Sequence, residues 1–177
     1  MCLVIGPTGV GKTLLIKRLE QASSASKKGS SYIFNDLPST IPTVGTSLVN
    51  VSVNNRFDVT LRELGGSMGP IWKNYFKDII GLMYVVDISN RLQVAAACIQ
   101  LLTVLSANNL PVVPVLLVFN KTDVPDKFTK SEIESLFRLS EIVKHCGRQV
   151  EQVDVSACTG QGVGDILKWL EQNCHGK

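Results

Sequence analysis

The sequence lacks the features that would assign its 177 residues to a disulfide-rich, zinc-binding, membrane-spanning or nucleic-acid-binding class. Its five cysteines are odd in number, widely spaced and without a C-x-x-C pair, so neither a disulfide framework nor a zinc site is expected. No apolar run is long enough to cross a membrane. The formal charge of +3 comes from scattered residues without a basic stripe, which argues against a nucleic-acid partner. We therefore expect one cytoplasmic domain, residues 1–177, with free thiols.

Signals for lipid attachment and export are also missing. Position 2 is Cys2 rather than glycine, which excludes N-myristoylation, and Cys174-His175-Gly176-Lys177 is a poor prenylation box. The first apolar stretch has no cleavage-site pattern, so it is not a signal peptide. We expect no direct membrane anchor, and any recruitment to membranes would depend on partner proteins.

The most informative motif that is present is Gly6-Pro7-Thr8-Gly9-Val10-Gly11-Lys12-Thr13, which matches the phosphate-binding pattern G-x-x-x-x-G-K-[ST]. Its glycines let backbone N–H groups turn inward around a phosphate, while Lys12 reaches the β- and γ-phosphates and the Thr13 hydroxyl ligates Mg²⁺. An apolar run before the motif and a helical pattern after it supply the strand, loop and helix that this chemistry needs. The motif predicts a bound nucleoside triphosphate with Mg²⁺. The residues predicted to contact the nucleotide here are Gly6, Thr8, Gly9, Val10, Gly11, Lys12 and Thr13.

Hydrophobic periodicity predicts an alternating α/β chain. Residues 49–61 alternate between apolar and polar around a polar turn, which is typical of a β-hairpin. Continuous apolar runs at 81–87 and 115–120 are typical of parallel strands that are covered on both faces. The other predicted elements are a helix on Leu92, Ala95, Ile99 and Leu102, helices near 131–139, a short strand near 149–155 and a helix on Val163, Ile166, Leu167 and Leu170.

These elements predict a doubly wound α/β fold, with a mostly parallel six-stranded sheet, one antiparallel hairpin strand and helices on both faces. In such sheets ligands lie at the carboxyl ends of the strands, where the phosphate-binding loop follows the first strand. The segment from Lys27 to Thr40 has no periodicity and is predicted to be a long mobile loop.

A second motif, Asn120-Lys121-Thr122-Asp123, follows a buried strand and selects the base. The Asp123 carboxylate can accept two hydrogen bonds from the N1–H and N2–H₂ edge of guanine, whereas adenine would leave a desolvated carboxylate unpaired. Asn120 is expected to hold the loop and the base edge, and the stem of Lys121 to cover the ring. The next strand ends at Ser156-Ala157-Cys158, where the Ala157 N–H is expected to meet guanine O6. The predicted ligand is therefore a guanine nucleotide.

With these motifs the chain resembles the small GTPases, and among them the ADP-ribosylation factor (Arf) family, over nearly its whole length. Pro42-Thr43-Val44-Gly45 is similar to the switch I motif P-T-x-G, which implies that Thr43 is a second hydroxyl on Mg²⁺. Glu63-Leu64-Gly65-Gly66 stands where the family has D-V-G-G, which implies a γ-phosphate contact from the Gly66 N–H and a water-mediated metal contact from Glu63. Two further segments are similar to family motifs, 70–75 to the P-L-W-x-x-Y of switch II and 156–163 to the base loop C-A-T-S-G-D-G-L.

Departures from the family pattern concern the catalytic positions, which the resemblance places at Lys12, Gly66 and Ser67. Ser67 stands where the family has the glutamine that orients the attacking water, in a shortened switch II, and a serine is too short to hold that water from there. Glu63 replaces an aspartate near Mg²⁺, whose octahedral shell tolerates little positional error. The sequence therefore predicts very slow intrinsic hydrolysis and a loosely held metal ion.

The resemblance also implies an effector surface on the switches and the hairpin, formed by Thr46, Arg62, Trp72 and Tyr75. Of the three apolar residues that Arf effectors usually contact, only the tyrosine persists, as Tyr75, so effectors of other members are not expected to bind. On spacing alone, Trp72 and Tyr75 also fit a partly buried core. The sequence begins at the first strand, so the amphipathic N-terminal helix of Arf proteins is not expected here.

The sequence predicts a molecular switch that binds GTP or GDP with Mg²⁺ and recruits effector proteins in the GTP state. The resemblance adds an exchange factor and a GTPase-activating protein as further partners. Two alternatives remain open. A scaffold that holds GTP without a hydrolytic cycle is favoured by Ser67 and Glu63, and a P-loop kinase or ATPase is disfavoured by the N-K-x-D motif and by the absence of an arginine-rich lid.

Overall fold

A computed structural model describes residues 1–27, 37–54 and 56–174. The strands are β1 (Cys2–Ile5), β2 (Thr46–Val53), β3 (Phe57–Leu64), β4 (Gly81–Asp87), β5 (Val115–Asn120) and β6 (Val150–Asp154). The helices are α1 (Lys12–Lys27), α2 (Arg91–Leu105), α3 (Lys130–Phe137), α4 (Leu139–His145) and α5 (Val163–Asn173), with a 3₁₀ helix over Gly66–Tyr75. None of the described helices is both long and apolar enough to cross a membrane. The loop predicted from Lys27 to Thr40 lies mostly outside the described residues, although Lys27 itself belongs to α1.

The described strands form one six-stranded sheet in the order β2-β3-β1-β4-β5-β6. β1 pairs in parallel with β3 and β4, and β5 pairs in parallel with β4 and β6. Among these strands only β2 is antiparallel, in register with β3 from Thr46 opposite Leu64 to Val53 opposite Phe57. The predicted fold class is therefore confirmed. The central strands read as continuous apolar runs because helices cover both of their faces.

The sheet separates two hydrophobic clusters, and β4 contributes to both. Leu82, Tyr84 and Val86 pack in the cluster that includes α2 and the 3₁₀ helix, whereas Met83 and Val85 pack in the cluster that includes α1 and α5. This division follows from the two-residue period of a strand. The carboxyl ends of β1, β3, β4 and β5 lie at one edge of the sheet, and the loops that carry the predicted motifs meet there.

Helix α2 forms where its periodicity predicts, but a different face is buried. The stripe that indicated the helix lies at the surface, with Leu92, Ile99 and Leu102 exposed by 95%, 66% and 45%. A helix that is apolar on nearly every side has no single period that marks its inner face, so the position between β4 and β5 selects the buried side chains. The side chains that face the core are Val94, Ala97, Cys98, Leu101, Val104 and Leu105.

The helices predicted near 131–139 are α3 and α4, and α4 continues beyond the predicted bound to His145. α3 starts with a capping box, in which the Thr129 side chain accepts from the Glu132 N–H and the Glu132 carboxylate accepts from the Thr129 N–H. Arg138 adopts a left-handed conformation with φ of 50° and ends α3, after which α4 begins. A single residue of this kind leaves no mark in the hydrophobic pattern, which is why the position of the break was not predicted.

Candidate nucleotide-binding site

The loop between β1 and α1 depends on its glycines. Gly6 and Gly11 have φ angles of 148° and 92°, which residues other than glycine rarely adopt. A Cβ at Gly6 would lie 2.2 Å from the Val85 carbonyl oxygen, and one at Gly11 would lie 2.5 Å from Nδ2 of Asn120. The loop is therefore packed against the ends of β4 and β5, with its N–H groups beside the start of α1.

Lys12 is folded back onto this loop. Its Nζ donates to the carbonyl oxygens of Gly6 at 2.8 Å and Pro7 at 2.9 Å, and the residue is only 5% exposed. Burial lowers the pKa of Lys12 to about 8, and the nearby Glu63 carboxylate opposes that shift. The ammonium is held by two weak acceptors that phosphate oxygens can replace.

Three oxygen atoms from distant parts of the chain meet beside Lys12. The hydroxyls of Thr13, at the start of α1, and Thr43, before β2, are 2.8 Å apart. Both donate to Oε1 of Glu63, at 2.6 Å and 3.0 Å. Two hydroxyls and a carboxylate are the hard oxygen ligands that Mg²⁺ prefers, so this donor set fits the metal ion that the sequence predicts. The structure thus brings together all three predicted metal ligands.

Asn120 joins the phosphate-binding loop to the base loops. Its Nδ2 donates to the Val10 carbonyl at 2.8 Å, and its Oδ1 accepts from the Ala157 N–H at 3.0 Å. The residue is 1% exposed, which places it as a structural bridge. The Ala157 N–H, which is predicted to meet guanine O6, lies beside this bridge and donates to Asn120 in this conformation.

The carboxylate of Asp123 is oriented by Ser156. The Ser156 hydroxyl donates to Asp123 Oδ1 at 2.6 Å and accepts from the Thr159 N–H at 3.0 Å. Ser156 is fully buried, while Asp123 is exposed. One carboxylate oxygen is thereby fixed at the predicted base site.

Lys121 is fixed by a residue that the sequence did not single out. Its Nζ lies 2.6 Å from Oδ2 of Asp87, the last residue of β4, and its backbone has a φ of 69°. Burial alone would raise the pKa of Asp87. Hydrogen bonds from Lys121 and Ser89 have the larger combined effect and hold the pKa of this carboxyl below its ordinary value. Asp87 could have been found as the polar end of an apolar strand.

Arg18 is another residue that sequence reasoning missed. Its Nε donates to the Ala157 carbonyl and its Nη2 to the Cys158 carbonyl, both at 3.1 Å, and the residue is 1% exposed. Helical spacing could have indicated this, because Arg18 shares a face of α1 with the buried Leu15 and Ala22. Arg18 therefore holds the loop that follows β6 in place.

Arg18→Met should lower the affinity for guanine nucleotides about tenfold, because the base loop loses two charge-assisted hydrogen bonds. The free energy of unfolding should fall by about 1–3 kcal/mol for the same reason. Titration with fluorescent GDP and urea unfolding measure the two effects. Arg56→Met is the matched control, since the Arg56 side chain is 78% exposed. Unchanged affinity in Arg18→Met would contradict a role in holding the base loop.

The predicted switch II packs directly on the phosphate-binding loop. A Cβ at Gly66 would lie 2.2 Å from the Thr8 nitrogen, so only glycine permits this approach. Gln93 of α2 also contacts Thr8, because its Nε2 donates to the Thr8 carbonyl at 3.0 Å. Ser67 is exposed at the start of the 3₁₀ helix. No sequence motif marks Gln93, which is why it was not predicted.

Trp72 does not lie on the predicted effector surface. It is 1% exposed, its Nε1 donates to the Gly65 carbonyl at 3.2 Å, and its ring meets Tyr84 edge-on with 6.3 Å between centroids. The prediction of Trp72 as an effector contact is wrong for this conformation. The alternative of a core residue holds because a buried indole needs a hydrogen-bond acceptor, which Gly65 supplies.

The other predicted effector residues are accessible, Thr46 fully and Arg62 and Tyr75 in part. Leu48 lies opposite Arg62 in the hairpin and is 58% exposed, which makes it an apolar side chain on a polar face. Two further exposed apolar side chains near switch I are Ile41 and Val44.

Comparisons with known proteins agree with this geometry. The family model described as the ADP-ribosylation factor family matches residues 1–174. ADP-ribosylation factor-like protein 16 of Homo sapiens is 43% identical over 171 residues, which cover 97% of this chain and 84% of that protein. ADP-ribosylation factor-like protein 3 of Saccharomyces cerevisiae is 28% identical over 171 residues, which cover 95% and 82%.

A solved structure shows the same fold. The Arl6 BBS3 small GTPase from Trypanosoma brucei, with the bound nucleotide analogue GppNp, superposes with a TM-score of 0.77 at 21% identity, covering 97% of this chain and 95% of that one. Sheet order, phosphate-binding loop and family match together show that the chain belongs to the ADP-ribosylation factor family of small GTPases.

Proposed function

We propose that this protein is a GTP-dependent switch, which binds GTP or GDP with Mg²⁺ and presents the switch and hairpin surface to an effector protein in the GTP state. The observation that carries the proposal is the meeting of the Thr13 and Thr43 hydroxyls on Glu63. Thr43 precedes β2 in a segment without helix or strand, so its side chain is held by the hydrogen bonds of this cluster rather than by a strand ladder. The similar Arl6 structure contains a nucleotide analogue.

Several side chains would change partners when the nucleotide binds. Bound Mg²⁺ would neutralise phosphate charge. Lys12 would exchange the carbonyls of Gly6 and Pro7 for phosphate oxygens, which are stronger acceptors. The hydroxyls of Thr13 and Thr43 would turn their lone pairs to the metal, with Glu63 behind them.

The two switches are mechanically joined, which supports a concerted change. The Gly65 N–H donates to the Gly45 carbonyl at 2.9 Å, and a Cβ at Gly65 would lie 2.4 Å from the Thr43 carbonyl oxygen. Because Trp72 also holds Gly65, movement of Thr43 would be transmitted to the 3₁₀ helix. A γ-phosphate contact at either segment would therefore reorganise both. We infer that this motion alters the exposed apolar residues that an effector contacts.

Nucleotide competition tests the proposed function. The purified protein should carry GDP or GTP, and unlabelled GTP should displace a fluorescent guanine nucleotide at concentrations at least a hundredfold below those of ATP. Equal displacement by ATP would favour a P-loop ATPase or kinase instead. Lys12→Ala is the control for binding at the phosphate loop.

Free thiols at all five cysteines fit action in a reducing compartment such as the cytosol.

A scaffold that holds GTP without a cycle is the second candidate, and Ser67 favours it. In that case nucleotide would bind with the same selectivity, but no phosphate would be released even when a cell extract supplies activating proteins. Release of phosphate under those conditions would support the switch.

Glu63→Asp should tighten Mg²⁺ binding about three- to tenfold. The longer glutamate places Oε1 directly against both hydroxyls, whereas an aspartate withdraws by one methylene and leaves room for a metal-bound water. The measurement is the rate of fluorescent GDP release against free Mg²⁺ concentration, with EDTA as the metal-free limit. Glu63→Gln removes the charge and should weaken metal dependence. If the rate of GDP release depended less on Mg²⁺ in Glu63→Asp than in wild type, the longer side chain would be the better metal partner.

A further inference from the structure

Two buried cysteines from distant parts of the sequence meet at the edge of the sheet opposite the nucleotide site. Cys2 is the first residue of β1, and Cys174 follows the last residue of α5. They are 0% and 1% exposed, and both belong to the hydrophobic cluster that includes α1 and α5. The nucleotide site lies at the carboxyl ends of the parallel strands, whereas these thiols lie at the amino ends. Nucleotide binding therefore does not use them.

Gly81 makes room for the second sulfur beside the first. It is the first residue of β4 and pairs with Cys2 in the parallel ladder, so both residues share one face of the sheet. A Cβ at Gly81 would lie 2.8 Å from Sγ of Cys174 and 3.5 Å from Sγ of Cys2. The first of these distances is shorter than real Cβ contacts allow. The space that a side chain would fill is thus taken by the Cys174 sulfur, next to that of Cys2.

The two thiols interact directly, and the contact shifts their pKa values in opposite directions. A hydrogen bond from the Cys2 thiol lowers the pKa of Cys174, although burial opposes that shift. The same contact raises the pKa of Cys2, and burial adds to the rise. The Leu3 carbonyl oxygen is a poorer acceptor for the Cys2 thiol, at 4.0 Å. Cys174 therefore becomes the nucleophilic thiolate more readily, with Cys2 as its neighbour.

We propose that Cys2 and Cys174 form a reversible intramolecular disulfide when a small hydroperoxide, such as hydrogen peroxide, reaches them. The Cys174 thiolate attacks one peroxide oxygen and the O–O bond breaks, which gives a sulfenic acid and a hydroxide that takes up the proton released by Cys174. The Cys2 sulfur then attacks the Cys174 sulfur, the S–O bond breaks, and the hydroxyl group leaves as water with the Cys2 proton. Two thiols are oxidised to one disulfide, and one hydrogen peroxide is reduced to two water molecules.

Access of the oxidant depends on the last turn of α5. The Cys174 N–H donates to the Leu170 carbonyl at 2.9 Å and so closes this turn. Helix ends fray more readily than helix interiors, so brief opening of the turn admits a small oxidant. Cys2 stays in place, because β1 is paired with β3 on one side and β4 on the other. An oxidised Cys174 therefore returns to a fixed partner.

The disulfide should stabilise the fold without changing the nucleotide site. It would link β1 to the end of α5 and close a loop that contains most of the chain, which restricts the unfolded state most when the loop is long. The sulfurs are already neighbours, so the folded state needs little adjustment. We expect the midpoint of thermal unfolding to rise by about 5–15 °C. The affinity for guanine nucleotides should stay within about twofold, because distant sites without shared partners act independently.

Peptide mapping after mild treatment with hydrogen peroxide tests the proposal on the protein loaded with GDP and Mg²⁺. Free thiols are alkylated after unfolding, and the protein is then digested without reductant. The expected product is a pair of peptides joined through Cys2 and Cys174, which dithiothreitol separates. The proposal is overturned if these two cysteines stay unpaired, or if either is joined to another cysteine or to a second chain.

Cysteine variants separate the disulfide from general effects of oxidation. Cys174→Ala should lose both the joined peptides and the rise in thermal stability. Cys146→Ala is the matched control, because Cys146 is a half-buried free thiol at the end of α4, and it should keep both. An equal rise in Cys174→Ala, or its loss in Cys146→Ala, contradicts the proposed pairing. Titration with fluorescent GDP on the same samples reports guanine nucleotide binding separately.

Discussion

Asp123→Asn should lower the affinity for GTP about a hundredfold and make a xanthine nucleotide the better ligand. The Ser156 hydroxyl holds one oxygen of Asp123 at 2.6 Å, so the carboxylate is oriented before any base binds. A carboxylate can accept from both N–H groups of guanine. An asparagine side chain offers one acceptor and one donor, which match the N1–H and the C2 carbonyl of xanthine.

Competition of GTP and XTP against a fluorescent guanine nucleotide measures this change. Asp126→Asn is the control, because Asp126 is an exposed carboxylate in the same loop. It should leave both affinities within twofold of wild type. If Asp123→Asn still prefers GTP, Asp123 does not read the base, and the bridging Asn120 becomes the candidate for that role.

The fold was predictable because its decisive signals are local. Apolar runs such as 81–87 and 115–120 predict buried parallel strands, and the phosphate-loop motif indicates the strand before it and the helix after it. The buried face of α2 was not predictable, because a helix with apolar side chains on nearly every side can bury any of its faces. Its orientation is set by packing on β4, which the sequence of α2 alone does not contain.

The candidate site also contains some residues that the sequence predicts and others that it does not. Thr13, Thr43 and Glu63 were predicted separately, and they meet because their strands and loops end at one edge of the sheet. Arg18 and Gln93 were not predicted as site residues, since each acts through a backbone carbonyl that only tertiary packing brings within reach. Motifs reveal residues that touch a ligand, whereas residues that hold the loops look like ordinary surface or core positions.

Intrinsic hydrolysis of GTP should be very slow, at or below about 10⁻⁴ s⁻¹, because catalysis in this class consists of positioning and charge stabilisation. Ser67 is exposed at the start of the 3₁₀ helix and is too short to orient a water molecule. In this conformation Gly66 packs on Thr8 and Trp72 donates to the Gly65 carbonyl, and these contacts hold the start of the 3₁₀ helix where Ser67 is exposed. The Thr8 side chain would also crowd an arginine supplied by a partner protein.

Single-turnover phosphate release from protein preloaded with GTP measures this rate. Ser67→Gln should raise it only in part, about three- to tenfold, because the shortened switch II misplaces the new side chain. Ser67→Ala is the matched control and should leave the rate unchanged. A wild-type rate tenfold above the expected limit, also unchanged in Ser67→Ala, would show that another residue positions the water. Gln93 would then be the first residue to replace, because its amide lies 3.0 Å from the Thr8 carbonyl oxygen.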